Sequence, residues 1–161
     1  LNIEKAIQWT FGKKLKAEQL FSEKFIKDLH KRMYGEVWKW AGMFRTSEKN
    51  IGIKSYLIAI ELKQLLDDAI FWKENNTYNS EELAIRFKHR LVSIHCFANG
   101  NGRHSRVMAD IIAEKIFGLK PFTWGKNNQE NSSAEIRNIY IKAVKLGDKY
   151  DLTSLIKFAR S

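Results

Sequence analysis

The residues best suited to chemistry lie in one short segment, from His95 to Arg106, which reads HCFANGNGRHSR. Gly100 and Gly102 flank Asn101, so the backbone there can adopt positive φ values and direct several amide N–H groups toward one point. A helix that begins just after Gly102 would add its unpaired N–H groups and its positive dipole end. Such a turn is typical of a site that holds phosphate oxygens.

Two arginines and a histidine accompany this turn. Arg103 and Arg106 are three positions apart, so both side chains lie on one face of the first helical turns and can contact phosphate oxygens. His95 precedes the turn, and a neutral imidazole among positive charges can accept a proton from a hydroxyl. The spacing therefore predicts polyphosphate chemistry with His95 as the general base.

Other site chemistries fit less well. Cys96 is the only cysteine, which excludes a zinc pattern, and a small buried role beside Phe97 is favoured over that of a nucleophile. The tryptophans, including Trp38 and Trp40, are expected to serve the core. The remaining histidines are expected to be bystanders: His30, His89 and His104.

Composition sets the class of protein. The 161 residues are 44% hydrophobic and 29% charged, as in one soluble globular domain covering residues 1–161. No stretch reaches the roughly 20 apolar residues of a membrane span, and one cysteine fits the cytoplasm. Leu1 in place of an initiator Met suggests a fragment of a longer chain. A net charge of +10 attracts anions, but it does not indicate whether the partner is a nucleotide, a nucleic acid or an acidic protein.

Hydrophobic periodicity predicts a mainly α fold. Capping residues and apolar stripes indicate six helices. They are predicted from Ser22 to Gly35, Tyr56 to Trp72, Asn79 to His95, Gly102 to Phe117, Ser132 to Ala143 and Asp151 to Phe158. One segment alternates instead and predicts a short extended piece or hairpin. It comprises Ile51, Gly52, Ile53, Lys54, Ser55 and Tyr56.

The segment from His95 resembles the signature of the Fic (Fic/DOC) family: His, Pro, Phe, any residue, Asp or Glu, Gly, Asn, Gly, Arg, two residues, Arg. Seven specified positions match. They are His95, Phe97, Gly100, Asn101, Gly102, Arg103 and Arg106. The passage from Trp40 to Arg45 and the tail around Tyr140 and Gly147 are also similar, and the chain most resembles the mobile mystery protein B type.

The resemblance implies a protein adenylyltransferase that transfers AMP from ATP to a Ser, Thr or Tyr hydroxyl of a target protein. His95 would deprotonate that hydroxyl, and the turn from Gly100 to Gly102 would hold the phosphates. Arg103 and Arg106 would clamp the phosphate chain, with pyrophosphate as the leaving group. Phe97 would anchor the loop.

The resemblance also implies the architecture, a helical bundle with one short β-hairpin flap. The flap would correspond to residues 51–58 and would hold an extended segment of the target by backbone pairing.

Two positions depart from the family pattern. Cys96 replaces the usual proline, which removes a restriction on φ without removing a reactive group. Asn99 stands where the family has the acid that binds Mg²⁺, and a neutral amide oxygen is a weaker ligand for this hard cation. Asn99 could instead simply cap the turn.

Many Fic proteins carry an inhibitory helix with Ser or Thr, three residues, Glu, then Gly or Asn. Ile70 and Lys126 stand at the hydroxyl position of the two nearest matches, so neither fits. The inhibitory element is therefore expected in a separate antitoxin-like partner or in a segment outside this chain.

Two alternatives to AMP transfer stay open. A related Doc-like subfamily transfers the terminal phosphate as a kinase, although its motif is less rich in glycine than GNG. A degenerate Fic domain would act only as a module that binds nucleotide, a partner or nucleic acid, of which nucleic acid is the least expected.

Overall fold

The chain is a bundle of helices in the computed structural model, which describes residues 3–10, 12–128 and 130–161. Within these ranges there are eight α-helices and one 3-10 turn, which confirms the mainly α class. The helices are α1 (Ile3–Thr10), α2 (Ala17–Leu20), α3 (Glu23–Tyr34), α4 (Ile58–Glu74), α5 (Ser80–Ile94), α6 (Asn101–Phe117), α7 (Ser133–Asp148) and α8 (Thr153–Arg160). The 3-10 turn, Ser55–Leu57, directly precedes α4.

Polar caps begin three helices where the sequence predicts them. Ser22 at α3 and Asn79 at α5 each accept a first-turn N–H, at 3.2 and 2.9 Å. Ser132 and Glu135 form a reciprocal capping box at α7. These contacts satisfy N–H groups that have no partner within the helix, so they define the helix starts locally.

The first two helices were not predicted. Helix α2 is a single turn, too short to be stable by itself. Its Leu20 is fully buried, and the N–H of Lys16 donates to Oε1 of Gln19 at 2.9 Å. Packing on the core, rather than helix propensity, therefore accounts for this element.

Helices α5 and α6 form the centre of the bundle and pack on each other more extensively than any other pair. Phe87 of α5 and Met108 and Ile112 of α6 are fully buried. Burial of one such side chain stabilises the fold by about 1.5–3 kcal/mol. The loop that joins the two helices, residues 95–100, thus has both of its ends held by the core.

The predicted β-hairpin flap is wrong. The described residues contain no strand, and residues 51–53 form bends before the 3-10 turn. Side chains take the backbone groups that a hairpin would pair: Arg45 donates to the carbonyls of Ser47 and Ile53, and Glu48 accepts the N–H of Ser55 at 3.0 Å. Local side-chain bonds of this kind compete with strand pairing.

The sequence predicts no membrane span. The longest helices, α4 and α6, have 17 residues each and carry charged side chains. No helix in the described part of the chain has the length and apolar character needed to cross a membrane.

Candidate functional site

A cleft of about 890 Å³ opens at the loop between α5 and α6. His95 and residues 99–102 line its base, and Arg103 and Arg106 project from the start of α6. Helix α7 forms the facing wall, together with Trp124 and Phe158. The cleft thus contains the predicted histidine, the glycine turn and both arginines.

The loop is shaped by two residues with positive φ. His95 ends α5 in the left-handed region (φ 58°), and Gly100 precedes α6 with φ 79°. A Cβ at Gly100 would lie 2.5 Å from the ring of Tyr34, so the position is closed to larger residues. Gly102 has open space around the place of a Cβ and belongs to the first turn of α6. Only Gly100 therefore provides the positive φ that was predicted for the glycine pair.

Asn101 holds the loop together from inside. Its side chain is buried, with Oδ1 accepting the N–H of Phe97 at 3.0 Å and Nδ2 donating to the carbonyl of Phe97 at 2.8 Å. Phe97 is fully buried, as expected for an anchor. The Asn101 side chain thus has a structural role, and only the backbone of this residue is left to face a ligand.

Helix α3 supports the outer side of the loop. Nδ1 of His30 accepts the N–H of Gly42 at 2.9 Å, so the proton of this neutral ring is assigned to Nε2, which donates to the carbonyl of Asn99 at 3.0 Å. The ring stacks on Phe97 at 3.8 Å between centroids. Burial lowers the pKa of His30 to about 4, which keeps it neutral at neutral pH. The hydroxyl of Tyr34 donates to the carbonyl of Gly100 at 3.3 Å.

The prediction that His30 and His104 are solvated bystanders is therefore wrong, because both are buried. His104 is also buried, its Nε2 lies 3.0 Å from the carbonyl of Ile26, and burial lowers its pKa to about 3. Nε2 of His89 lies 2.8 Å from Oδ1 of Asp148. Helical spacing could have placed His30 and His104 on buried faces, but their partners are distant in sequence.

Arg45 positions the main chain of His95 and was missed by sequence reasoning as a site residue. It is 5% exposed. Its Nε donates to the carbonyl of His95 at 2.6 Å, and its own N–H donates to the carbonyl of Cys96 at 2.9 Å. The only sequence signal was its place in the segment that resembles the family's passage before the flap.

The electrostatics of the cleft favour an uncharged imidazole at His95. Partial burial lowers the pKa of His95 from its ordinary value, and the positive charges of Arg45 and Lys49 lower it further. The ring is therefore neutral at neutral pH and able to accept a proton. Nearby, the first N–H groups of α6 and the guanidinium groups of Arg103 and Arg106 can stabilise negative charge on a ligand.

The predicted metal position offers one neutral oxygen. Oδ1 of Asn99 accepts the N–H of Gly100 at 2.8 Å, so the amide caps the turn. No Asp or Glu is among the described residues that line the cleft, and the described ranges contain no cluster of three His, Cys, Asp or Glu side chains fit to hold a metal. The donors among the described residues of the cleft do not by themselves make a site for Mg²⁺.

The flap residues reach the site although they form no strand. A Cβ at Gly52 would lie 2.5 Å from Cβ of His95, so glycine is required by the close approach. The N–H of Ile53 donates to the carbonyl of Ile94 at 3.4 Å. Ile51 and Tyr56 are 64% and 76% exposed, beside this contact.

Two of the tryptophans predicted for the core pack against it and also line the wall of the cleft. Trp38 and Trp124 line the cleft, next to Tyr34 and Tyr140. Trp38 also stacks on Trp40 at 4.6 Å between ring centroids. An aromatic wall of this kind can hold a planar ring by stacking.

A sequence model of the Fic/DOC family matches residues 20–113. The fold is similar to several solved structures. Fic-1 from C. elegans has a TM-score of 0.74 and 22% identity, over 98% of this chain and 45% of that one. The Fic domain of Bep8 from Bartonella sp. 1-1C has a TM-score of 0.70 and 19% identity, over 96% and 78% of the two chains. BepC from Bartonella tribocorum, solved with bound AMPPNP, has a TM-score of 0.70 and 15% identity, over 98% and 80%.

Proposed function

This chain belongs to the Fic/DOC family, and from that premise we propose that it transfers AMP from ATP to a hydroxyl group of a target protein. The observation that carries the proposal is that one cleft joins a neutral imidazole, at His95, with a helix N-terminus and two arginines. The base and the anion-stabilising groups of a nucleotidyl transfer are thereby on the same surface. The chain spans 45% of the C. elegans Fic-1 chain, so target and partners are proposals as well.

In the proposed reaction the target hydroxyl oxygen attacks the α-phosphorus of ATP. The proton of that hydroxyl goes to a ring nitrogen of His95. A new bond forms between the target oxygen and the α-phosphorus, and the bond from this phosphorus to the oxygen bridging to the β-phosphate breaks. Pyrophosphate leaves with that bonding electron pair.

The anion-stabilising groups would act on the phosphates. The N–H groups of Asn101, Gly102 and Arg103 lie in the first turn of α6 and have no acceptor within the helix. With the guanidinium groups of Arg103 and Arg106 they supply fixed donors for charge that develops on the α-phosphate and on pyrophosphate. Preorganised donors of this type provide the largest part of many rate enhancements.

No step of the proposed reaction runs through Mg²⁺. Among the described residues that line the cleft, only the Asn99 amide is a ligand at the predicted position, and this amide already accepts the N–H of Gly100. Any Mg²⁺ that accompanies ATP would depend mainly on phosphate oxygens and water. The cation is thus proposed to travel with the nucleotide, not to be held by the protein.

The target would bind beside the flap segment. Gly52 and Ile53 contact the end of α5 next to His95, while Ile51 and Tyr56 present exposed apolar surface. A peptide along this segment would bring a hydroxyl close to the imidazole. A separate antitoxin-like inhibitor would act by entering the same cleft.

A second candidate function is nucleotide binding without transfer. Asn99 favours it, because the position lacks the carboxylate that the family resemblance implies for metal binding. Nucleotide would then bind at the same turn and arginines, and the bound state would serve recognition of a partner.

Labelled ATP distinguishes these functions. The protein is incubated with a cell lysate and ATP labelled at the α-phosphate or, separately, at the γ-phosphate. AMP transfer predicts protein-bound label from the α position only, and loss of this label in His95→Ala with ATP binding retained. Label from the γ position only would show kinase action. Absence of label from both, with ATP bound, would support the second candidate.

A further inference from the structure

Lys88 is a buried lysine beneath the wall of the cleft. It lies on α5 and has no exposed surface. Lysine is rarely buried without a charged partner, yet no carboxylate pairs with Lys88 in the described part of the chain. Its Nζ donates to the hydroxyl of Tyr140 at 2.5 Å and lies 4.7 Å from the centroid of the same ring.

Tyr140 connects this lysine to the phosphate-binding side of the cleft. The residue belongs to α7 and lines the cleft. The guanidinium carbon of Arg106 lies 5.3 Å from the centroid of its ring. One aromatic ring therefore contacts two cations, Arg106 on the cleft side and Lys88 in the interior.

The charges around Lys88 make the protonation of its amine depend on whether a charged ligand occupies the cleft. Burial, and to a smaller extent the positive charge of Arg106, lower the pKa of Lys88 to about 7, against the opposing effect of Asp148. The hydroxyl of Tyr140 can serve both states, since it accepts from the ammonium and can donate to a neutral amine.

We propose that Lys88 is a positioning residue for the nucleotide cleft. Lys88 holds Tyr140 in the wall beside Arg106, and its amine takes up a proton when a polyphosphate binds to Arg106. The inference rests on the proposed function only for the binding of ATP. It assigns to α5 a second role besides carrying His95.

The physical reason is the sign of the charge that arrives. In the empty cleft Arg106 repels a proton on Lys88, and burial disfavours the ammonium. A bound triphosphate offsets the charge of Arg106 and adds negative charge on the same side of Tyr140. The ammonium is then favoured, so ATP affinity falls as pH rises through 7 and proton uptake accompanies binding.

The test is isothermal titration calorimetry, in which ATP is titrated into the whole chain at about pH 7.5, once in HEPES buffer and once in Tris buffer. The two buffers differ in ionisation enthalpy, so their difference gives the protons taken up. Wild-type protein is compared with Lys88→Met, which keeps the length of the side chain and removes its amine. Lys142→Met is the matched control, because Lys142 lies on α7 in an exposed position.

The proposal predicts that, on binding ATP, wild type and Lys142→Met each take up more protons than Lys88→Met, by a fraction of one proton per molecule. Subtracting the uptake of Lys88→Met from that of wild type cancels the protons taken up by ATP itself and by His95, which are common to both proteins. Lys88→Met should also bind ATP roughly two- to tenfold more weakly, the effect of one lost hydrogen bond. Equal proton uptake and equal affinity in wild type and Lys88→Met would overturn the proposal.

Tyr140→Phe provides an independent variant if Lys88→Met does not fold. It keeps the ring that contacts Arg106 and removes the hydroxyl that accepts from Lys88. We expect weaker ATP binding and a changed proton uptake, and a wild-type profile in this variant would contradict the inference. If wild-type protein bound no ATP, the proposed function would fail first.

Discussion

The carbonyl of His95 accepts a hydrogen bond from Nε of Arg45, 2.6 Å away. Arg45 is 5% exposed, and the other nitrogens of its guanidinium donate to the carbonyls of Ser47, Ile53 and Ile94. One buried side chain thus joins the end of α5 to the flap segment. The position of the proposed base depends on this contact as well as on the helix that carries it.

Replacing Arg45 with lysine should therefore reduce both stability and activity. Lysine keeps the charge but cannot reproduce the fork of N–H donors, so several carbonyls lose their partner. We expect a loss of roughly 2–4 kcal/mol in the free energy of unfolding, measured by urea denaturation. Arg32→Lys, at an exposed position, is the control and should change little. Equal stabilities of the two variants would contradict this role for Arg45.

The pH dependence of AMP transfer should report the low pKa of His95. Because a base must be unprotonated, the rate rises with pH through this pKa. Lys49 is one of the charges that lower the pKa, so Lys49→Met should move the acid limb of kcat/KM to higher pH. An acid limb at the same pH in both proteins would show that another group sets it.

Asn99→Asp should increase the dependence of ATP binding on Mg²⁺. A carboxylate is the better ligand for this cation and can still accept the N–H of Gly100, so the turn is kept. ATP affinity is measured with and without Mg²⁺ in wild type, Asn99→Asp and Asn99→Ala. We expect the gain from Mg²⁺ to be largest in the aspartate variant, and the same gain in all three would refute the account of Asn99.

Stability should fall as the solution is made acidic, because His30 and His104 are buried in the neutral form. Their pKa values are lowered to about 4 and about 3 in the folded protein, whereas an unfolded histidine titrates near 6.5. Protons therefore bind the unfolded chain first, and stability is lost as pH falls below about 6.5. Near pH 5 the slope approaches about 1.4 kcal/mol per pH unit for each histidine.

Urea denaturation at a series of pH values checks this expectation in wild type and in His104→Gln. Glutamine can still donate to the carbonyl of Ile26 and does not titrate. In this variant the free energy of unfolding should fall less steeply as pH decreases, and the difference should equal the contribution of one histidine. If its pH dependence matched that of wild type, His104 would not be neutral in the folded state.

Local sequence determined most of the helices and the composition of the candidate site. The caps at Ser22, Asn79 and Ser132 depend on bonds within one helical turn, so their residue types were sufficient to predict them. The same holds for the segment from His95 to Arg106, whose residues are neighbours along the chain. Short-range geometry is what residue spacing encodes directly.

Tertiary structure decided how that segment is held and what faces it. Contacts of His30, Tyr34 and Arg45 with the loop join residues 50 or more positions apart. The flap is shaped by Arg45 and Glu48 rather than by its own alternation, and Lys88 gains its hydroxyl partner only because the fold brings Tyr140 of α7 to it. Buried polar groups take whichever partners the packing brings to them, so spacing within one segment cannot specify those partners.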